Sequence, residues 1–243
     1  KDSVTSRQMF NTGDAQTTSL VRGFGNLEWR IHPLVLINAG GTLEHYSLTG
    51  TSLAPRLMAN FQPMAGQTLR VGVSKAYRTP SLAEQKGDVR YYYSPLGTLA
   101  AWNHRSLGGL KPEQVVAHEI GYLGELRDLR LTLDARLYRE RVSRILDLTP
   151  ATPRNFINED TARVRGLEYQ AKWRGLPGTQ VVLNQSFVRI ASPDARLEES
   201  SPTHATTLFA TLALPHDWDL SLAHHWVGAV RWLGFSERTE KYR

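Results

Sequence analysis

The chain has 243 residues, a formal net charge of +6 and no cysteine. The length allows one large domain or two small ones, and the missing thiol excludes disulfides, thiolate metal sites and a cysteine nucleophile. No run of about 18 apolar residues is present, so no transmembrane helix is expected; the modest charge fits an anionic partner or simply a basic surface.

Taken from the N-terminus, Lys1-Asp2-Ser3-Val4 has no apolar targeting core behind it and no initiator methionine, so a mature protein or an excised piece is expected. The dominant period is then two. Leu53, Pro55, Leu57, Ala59 and Phe61 alternate with Ala54, Arg56, Met58, Asn60 and Gln62. Leu69, Val71 and Val73 follow the same rule, as do Leu131 to Leu137, Leu167 to Trp173 and Trp218 to Leu222. Such alternation describes strands with one apolar and one polar face. No convincing helical spacing occurs.

The connections between these runs are uneven. Short turns fall at Ile31-His32-Pro33, Pro63 to Gly66, Leu126-Arg127-Asp128, Gly175 to Gly178 and Pro215-His216-Asp217. Longer loops fall at Thr12 to Thr17, Arg78 to Glu113, Thr149 to Asp160, Ser192 to Pro202 and Trp232 to Thr239; Ser47 to Ser52 is short. The expectation is an all-β chain of antiparallel up-and-down strands, tight turns at one end and long loops at the other. About 11 strands of about 10 to 14 residues fit the length needed to cross a bilayer at a tilt, whereas strands of soluble proteins average about five or six.

The aromatic residues point the same way. Trp29, Phe61, Trp173 and Trp218 lie near short turns on the apolar register, as an interfacial girdle requires. Tyr77, Tyr122 and Trp226 are placed near the other end. The opposite register carries Glu28, Arg30, Arg56, Arg70, Glu119, Glu125, Asp134, Arg136, Glu168 and Lys172. A barrel puts that charged face inside and the apolar face towards lipid; a soluble sandwich does the reverse. Strand length, girdle and loop asymmetry favour the barrel. A soluble β-sandwich that binds carbohydrate or peptide and a passive porin-like channel remain the alternatives.

Three segments in order carry a resemblance. "VGVSKAYRTPSLAEQ" from Val71, "LKPEQ" at Leu110 with "HEIGY" at His118, and "NEDTARVRGLEY" from Asn158 resemble landmarks of the TonB-dependent outer-membrane receptors. In that family a strand ends in aromatic-Arg-x-Pro-Ser-Leu-x-Glu as it enters an extracellular loop. The chain then re-enters the barrel through Leu-Lys-Pro-Glu, and an Arg-Gly-hydrophobic-Glu strand follows. The resemblance spans about residues 68 to 172 and implies a bacterial outer-membrane receptor that imports a scarce ligand, a ferric siderophore or cobalamin, with outer-membrane lipid around it. It also implies coupling to the TonB energy-transducing protein through N-terminal parts that are missing here. The family's barrel has about 22 strands, preceded by a plug. Residues 1–243 are therefore expected to form a partial barrel domain, about half of a large transmembrane β-barrel, with plug and C-terminal strands absent. Glu240-Lys241-Tyr242-Arg243 reads as the start of another strand.

Catalytic patterns fail. His118-Glu119 begins like a zinc-protease motif, but Tyr122 stands where the second histidine belongs. Gly72-Val73-Ser74-Lys75-Ala76 lacks the last glycine of a nucleophile elbow. His224 and His225 point to opposite faces of a strand and cannot chelate one metal together. No enzyme, cofactor or bound metal is expected. The candidate ligand site is the long loop, with Arg90, Tyr91, Tyr92, Tyr93, Trp102, His104 and Arg105, and Arg78 at its root. Cations interleaved with aromatics suit an anionic, ring-bearing chelate. The same mixture can stack single-stranded bases, but no nucleic-acid partner is expected. Pro80 cannot continue a central ladder and biases Thr79 towards extended backbone, so Arg78 to Ser81 also reads as a strand terminator, with Arg78 bracing the loop against a lumen carboxylate.

Overall fold

The computed structural model describes residues 9–11, 17–93, 97–232 and 239–241. Strand β1 spans Met9–Asn11. Five long strands follow: β2 Leu20–His32, β3 Val35–Tyr46, β4 Gly50–Met64, β5 Gln67–Arg78 and, after the long loop, β8 Glu113–Leu126. Inside that loop lie α1 Leu82–Lys86, β6 Asp88–Tyr92 and β7 Leu99–Arg105. The remaining strands are β9 Leu131–Leu148, β10 Phe156–Trp173, β11 Thr179–Ala191, β12 His204–Leu214 and β13 Trp218–Val227, with α2 Ala195–Glu198 between β11 and β12.

Ten strands form one antiparallel meander, ordered β13-β12-β11-β10-β9-β8-β5-β4-β3-β2, and β1-β6-β7 form a small separate sheet. The meander strands run from 10 to 18 residues. Among the described residues the main sheet holds ten long strands against the about 11 expected, and the stretch from Arg78 to Glu113, expected as a loop, folds as a helical turn and a hairpin apart from that sheet. The expected loops at 12–17 and 232–239 lie largely outside the described residues, as does the end of the run expected to start a further strand. No helix among the described residues is long and apolar enough to cross a membrane.

The register assigns every side chain to a face. Val71 pairs with Ile120, Ile120 with Leu137, Leu137 with Leu167 and Leu167 with Phe187. On that same face, Leu69 meets Tyr122, Leu131 meets Trp173 and Leu212 meets Leu220. These apolar chains stand out of the sheet, with Val71 and Leu137 more than half exposed. The girdle residues Trp29 and Trp218 are 62% and 71% exposed, so nothing among the described residues covers them. The buried hydrophobic set is small, Met58, Leu110, Tyr138, Ala162 and Val230. A sandwich would interdigitate the apolar chains between two sheets; here one sheet leaves them outside, as a barrel does. Tyr122 is a correction: it lies opposite Leu69 at the short-turn end, not near the loops.

The inward face pairs its charges. Glu119 lies 3.4 Å from Arg70 and 3.5 Å from Arg136, and Arg136 lies 3.8 Å from Glu140. Two glycines make room for these contacts. A Cβ on Gly121 would sit 3.0 Å from the Arg70 guanidinium, and one on Gly166 would sit 2.4 Å from the Tyr138 ring. Arg70 thereby reaches Glu119, and the Tyr138 hydroxyl donates to Glu168 at 3.2 Å. The Glu-Ile-Gly and Gly-Leu-Glu triplets are therefore one device used twice. A glycine admits a long neighbouring side chain, which finds its carboxylate partner two residues along the strand.

Candidate functional site

Arg78 ends β5 and faces inward, opposite Glu113 of β8. Its Nε donates to Glu113 Oε2, and its second guanidinium nitrogen donates to Glu84 of α1 at 3.0 Å. The other oxygen of Glu113 accepts from the Leu146 amide of β9 at 2.7 Å. One carboxylate thus ties three strands at the loop end. Beside it, Pro80 is fully buried and halts the ladder. Ser81 caps α1, accepting from the Glu84 amide at 3.2 Å while Glu84 accepts from the Ser81 amide at 2.6 Å. Burial pushes the Glu84 carboxyl up, but the Ser81 amide and Arg78 outweigh it and hold it below its ordinary value.

The other two landmark segments lock onto this corner. Gln85 is buried and exchanges hydrogen bonds with the Leu110 backbone, at 2.8 Å and 3.2 Å. Asn158 accepts from the Lys111 amide at 2.7 Å and donates to the carbonyls of Lys111 and Arg144, at 3.0 Å and 2.8 Å. Residues far apart in sequence close one polar joint, from which the loop hairpin projects.

The β6–β7 hairpin places Arg90 directly opposite Trp102. The Arg90 guanidinium lies 4.4 Å from the Trp102 ring centroid, and that of Arg105 lies 5.1 Å from it. Asp88 fixes the group: it accepts from Arg90 at 2.9 Å and 3.1 Å, and from Trp102 Nε1 at 2.7 Å. The hairpin is in turn bound to the β9–β10 loop. The Arg105 amide donates to Arg154 O at 2.9 Å, the Arg154 amide to Asn103 O at 3.1 Å and the Leu107 amide to Asn155 Oδ1 at 2.9 Å.

The sequence-derived candidates divide accordingly. Arg90, Trp102 and Arg105 come together. Tyr92 is two residues from Arg90 and shares its strand face, whereas Tyr91 pairs with Ala101 and points the other way. Tyr93 stands beyond the strand end, 79% exposed. His104 turns away from the cluster, packs edge-on against Phe156 at 4.7 Å and has Nε2 2.7 Å from Ser106 Oγ. Ser106 donates its own proton to Ala83 O, so the ring donates to Ser106. Burial pulls the His104 ring below the ordinary histidine value, against a smaller opposing pull from Asp88. Arg78 is held by two carboxylates as a brace. What the arrangement offers chemically is two guanidinium groups on one indole, suited to an anionic ligand with flat rings.

The model of the family described as TonB dependent receptor-like, beta-barrel matches residues 2–242. The chain belongs to the TonB-dependent receptor β-barrel family. That family is one of outer-membrane transporters, not of enzymes. No curated protein matches the sequence. Among solved structures, the TonB-dependent receptor segment superposes on the ferric enterobactin receptor PfeA of Pseudomonas aeruginosa with a TM-score of 0.74 at 16% identity, covering 93% of this chain and 36% of that one. The ferric-catecholate import receptor Fiu of E. coli K12 gives 0.69 at 16% identity, covering 93% and 37%. The FrpB iron transporter of Neisseria meningitidis gives 0.68 at 14%, covering 88% and 33%. The segment spans about a third of the length of these structures, and at these identities they speak to the fold.

Sequence reasoning gave no role to Asp88, and it placed Ser81 and Asn158 in the landmark segments without the contacts they make. Ser81-Leu82-Ala83-Glu84 has the Ser-x-x-Glu spacing of a capping box and was legible as one. Asp88 carried no local signal, since its partners Arg90 and Trp102 meet it only through the hairpin register.

Proposed function

We propose that the protein containing this chain sits in the bacterial outer membrane and imports an anionic, ring-bearing iron chelate, a ferric siderophore, with energy delivered by TonB. The family assignment supports import. The cluster of Arg90, Trp102 and Arg105 on the loop hairpin supports the ligand chemistry and is the observation that carries this reading. In that role Arg90 and Arg105 attract the chelate, Trp102 and Tyr92 stack on its rings, and Tyr91, Tyr93 and His104 shape the hairpin around them. The partial sheet, covering 36% of PfeA, belongs on this reading to a longer barrel closed by further strands and a plug.

The test is binding of radiolabelled ferric catecholate to cells carrying the full receptor, compared with cells carrying the Arg90→Ala/Arg105→Ala variant across salt concentrations. Weaker binding and a flatter salt dependence are expected, since exposed charges are screened over about 10 Å at 0.1 M salt. Unchanged affinity at every salt concentration removes these arginines from the site. Uptake of cobalamin in place of every iron chelate reassigns the ligand.

A further inference from the structure

The outward face carries cations at one end only. Directly above the apolar row of Ile120, Leu137, Leu167 and Phe187 runs a second row: His118 pairs with Arg139, Arg139 with Arg165 and Arg165 with Arg189. One step higher, Arg141 pairs with Arg163. All five arginines are exposed. Residues two apart on a strand are separated by about 6.6 Å, so the guanidinium groups border the hydrocarbon-facing surface directly. Neither row contains a carboxylate. The short-turn end of the same face has Trp29, Phe61, Trp173 and Trp218, without a charge.

Directly opposed side chains on one sheet face stand about 5 Å apart, and like charges there repel. Elsewhere the chain avoids this. On the inward face and in the loops, Arg22, Arg70, Arg78, Arg90, Arg136 and Arg196 each have a carboxylate partner. On the outward face several other polar groups pair: Tyr169 with Gln185, Gln185 with Thr206, Thr206 with His204, His45 with Thr51, and Lys75 over the Tyr77 ring. Among the described residues, Arg139, Arg141, Arg163, Arg165 and Arg189 form no ion pair. Beneath His118, Arg139 and Arg165 lies a shallow apolar depression lined by Val71, Ile120 and Leu137. Beside it Phe187 stacks on His204 at 4.5 Å and Trp226 meets His204 edge-on at 4.4 Å, an aromatic group at the same boundary.

We infer that these five arginines form a docking site for a membrane lipid whose headgroup carries more than one phosphate. The phosphates bridge the opposed guanidinium groups, which match phosphate geometry in bidentate fashion, and the acyl chains lie along the apolar depression. A lipid is favoured over a soluble anion because the cationic rows are continuous with the apolar face. The inference rests on the family assignment and the outward direction of that face, not on the imported ligand.

The test uses the full receptor in detergent, titrated with a diphosphorylated, multiply acylated glycolipid and with its dephosphorylated form, bound lipid being counted by native mass spectrometry. Wild type should retain the phosphorylated lipid about tenfold more strongly than the Arg139→Gln/Arg165→Gln/Arg189→Gln variant. The corresponding triple lysine variant should recover part of the loss. Heat-modifiable gel mobility checks that each barrel is assembled; if the triple glutamine variant is not, Arg165→Gln alone should still weaken retention. Equal retention by wild type and the glutamine variants, or of the phosphorylated and dephosphorylated lipids, overturns the proposal. So does displacement of the lipid by inorganic phosphate at matching concentration, which would make the site one for a soluble anion. Siderophore binding, measured on the same samples, is expected to be unchanged, so its loss or retention judges the import reading separately.

Discussion

Replacing Arg78 with methionine keeps the stem and removes the cation between Glu84 and Glu113. Its side chain is half exposed, so the direct loss is modest, about 1 kcal/mol. The effect should concentrate in the loop: proteolysis between residues 87 and 105 of the receptor should speed up about fivefold if cleavage follows opening, while barrel assembly persists. An unchanged cleavage rate would show that the brace is idle. His104 gives a pH handle at the same scale. Its folded value lies below the ordinary one because of burial, so the folded loop prefers the neutral ring. Stability from this group is present above the unfolded value of about 6.5 and is lost as pH falls below it. Hydrogen-exchange protection of β7, taken relative to the intrinsic exchange rate at each pH, should fall between pH 7.5 and pH 5, and His104→Phe should abolish that fall.

At the scale of a strand, the two faces of β5 and β11 obey different solvents. Val71 lies between Leu69 and Val73 on the outward register, whereas Asn184 faces inward beside Gln170. An arginine at Val71 should cost about 2–4 kcal/mol and one at Asn184 about 1 kcal/mol or less, because only the first meets hydrocarbon. Urea-dependent folding of the full receptor into lipid vesicles measures both. Equal costs would mean that the outward face is not lipid-facing. The same alternation makes the sequence informative: a one-residue slip would turn Val71, Ile120, Leu137 and Leu167 inwards together, so period two fixes their common side without any contact being known.

For the whole molecule, the sheet as described ends on β2 and β13, each paired on one side only. An unpaired edge beside an uncovered apolar face invites association with another chain or with lipid. The chain on its own should therefore stay insoluble without detergent, or self-associate. Light scattering that shows a monodisperse detergent-free monomer would contradict the membrane assignment of the outward face.

The sequence by itself determined the alternation, the turns, the girdle and the strand terminator at Pro80, because each depends on residues near one another along the chain. It also carried the three family landmarks in order, though not what they do together. The tertiary structure alone decided that Arg78, Glu84, Glu113 and Asn158 close one joint, and that Arg90 and Trp102 meet while Tyr91 turns away. It also moved Tyr122 to the short-turn end and lined up Arg139, Arg165 and Arg189 on three neighbouring strands. The physical reason is register: period two says which side of its own strand a residue occupies, but only hydrogen-bonded pairing between strands says which residue stands beside it.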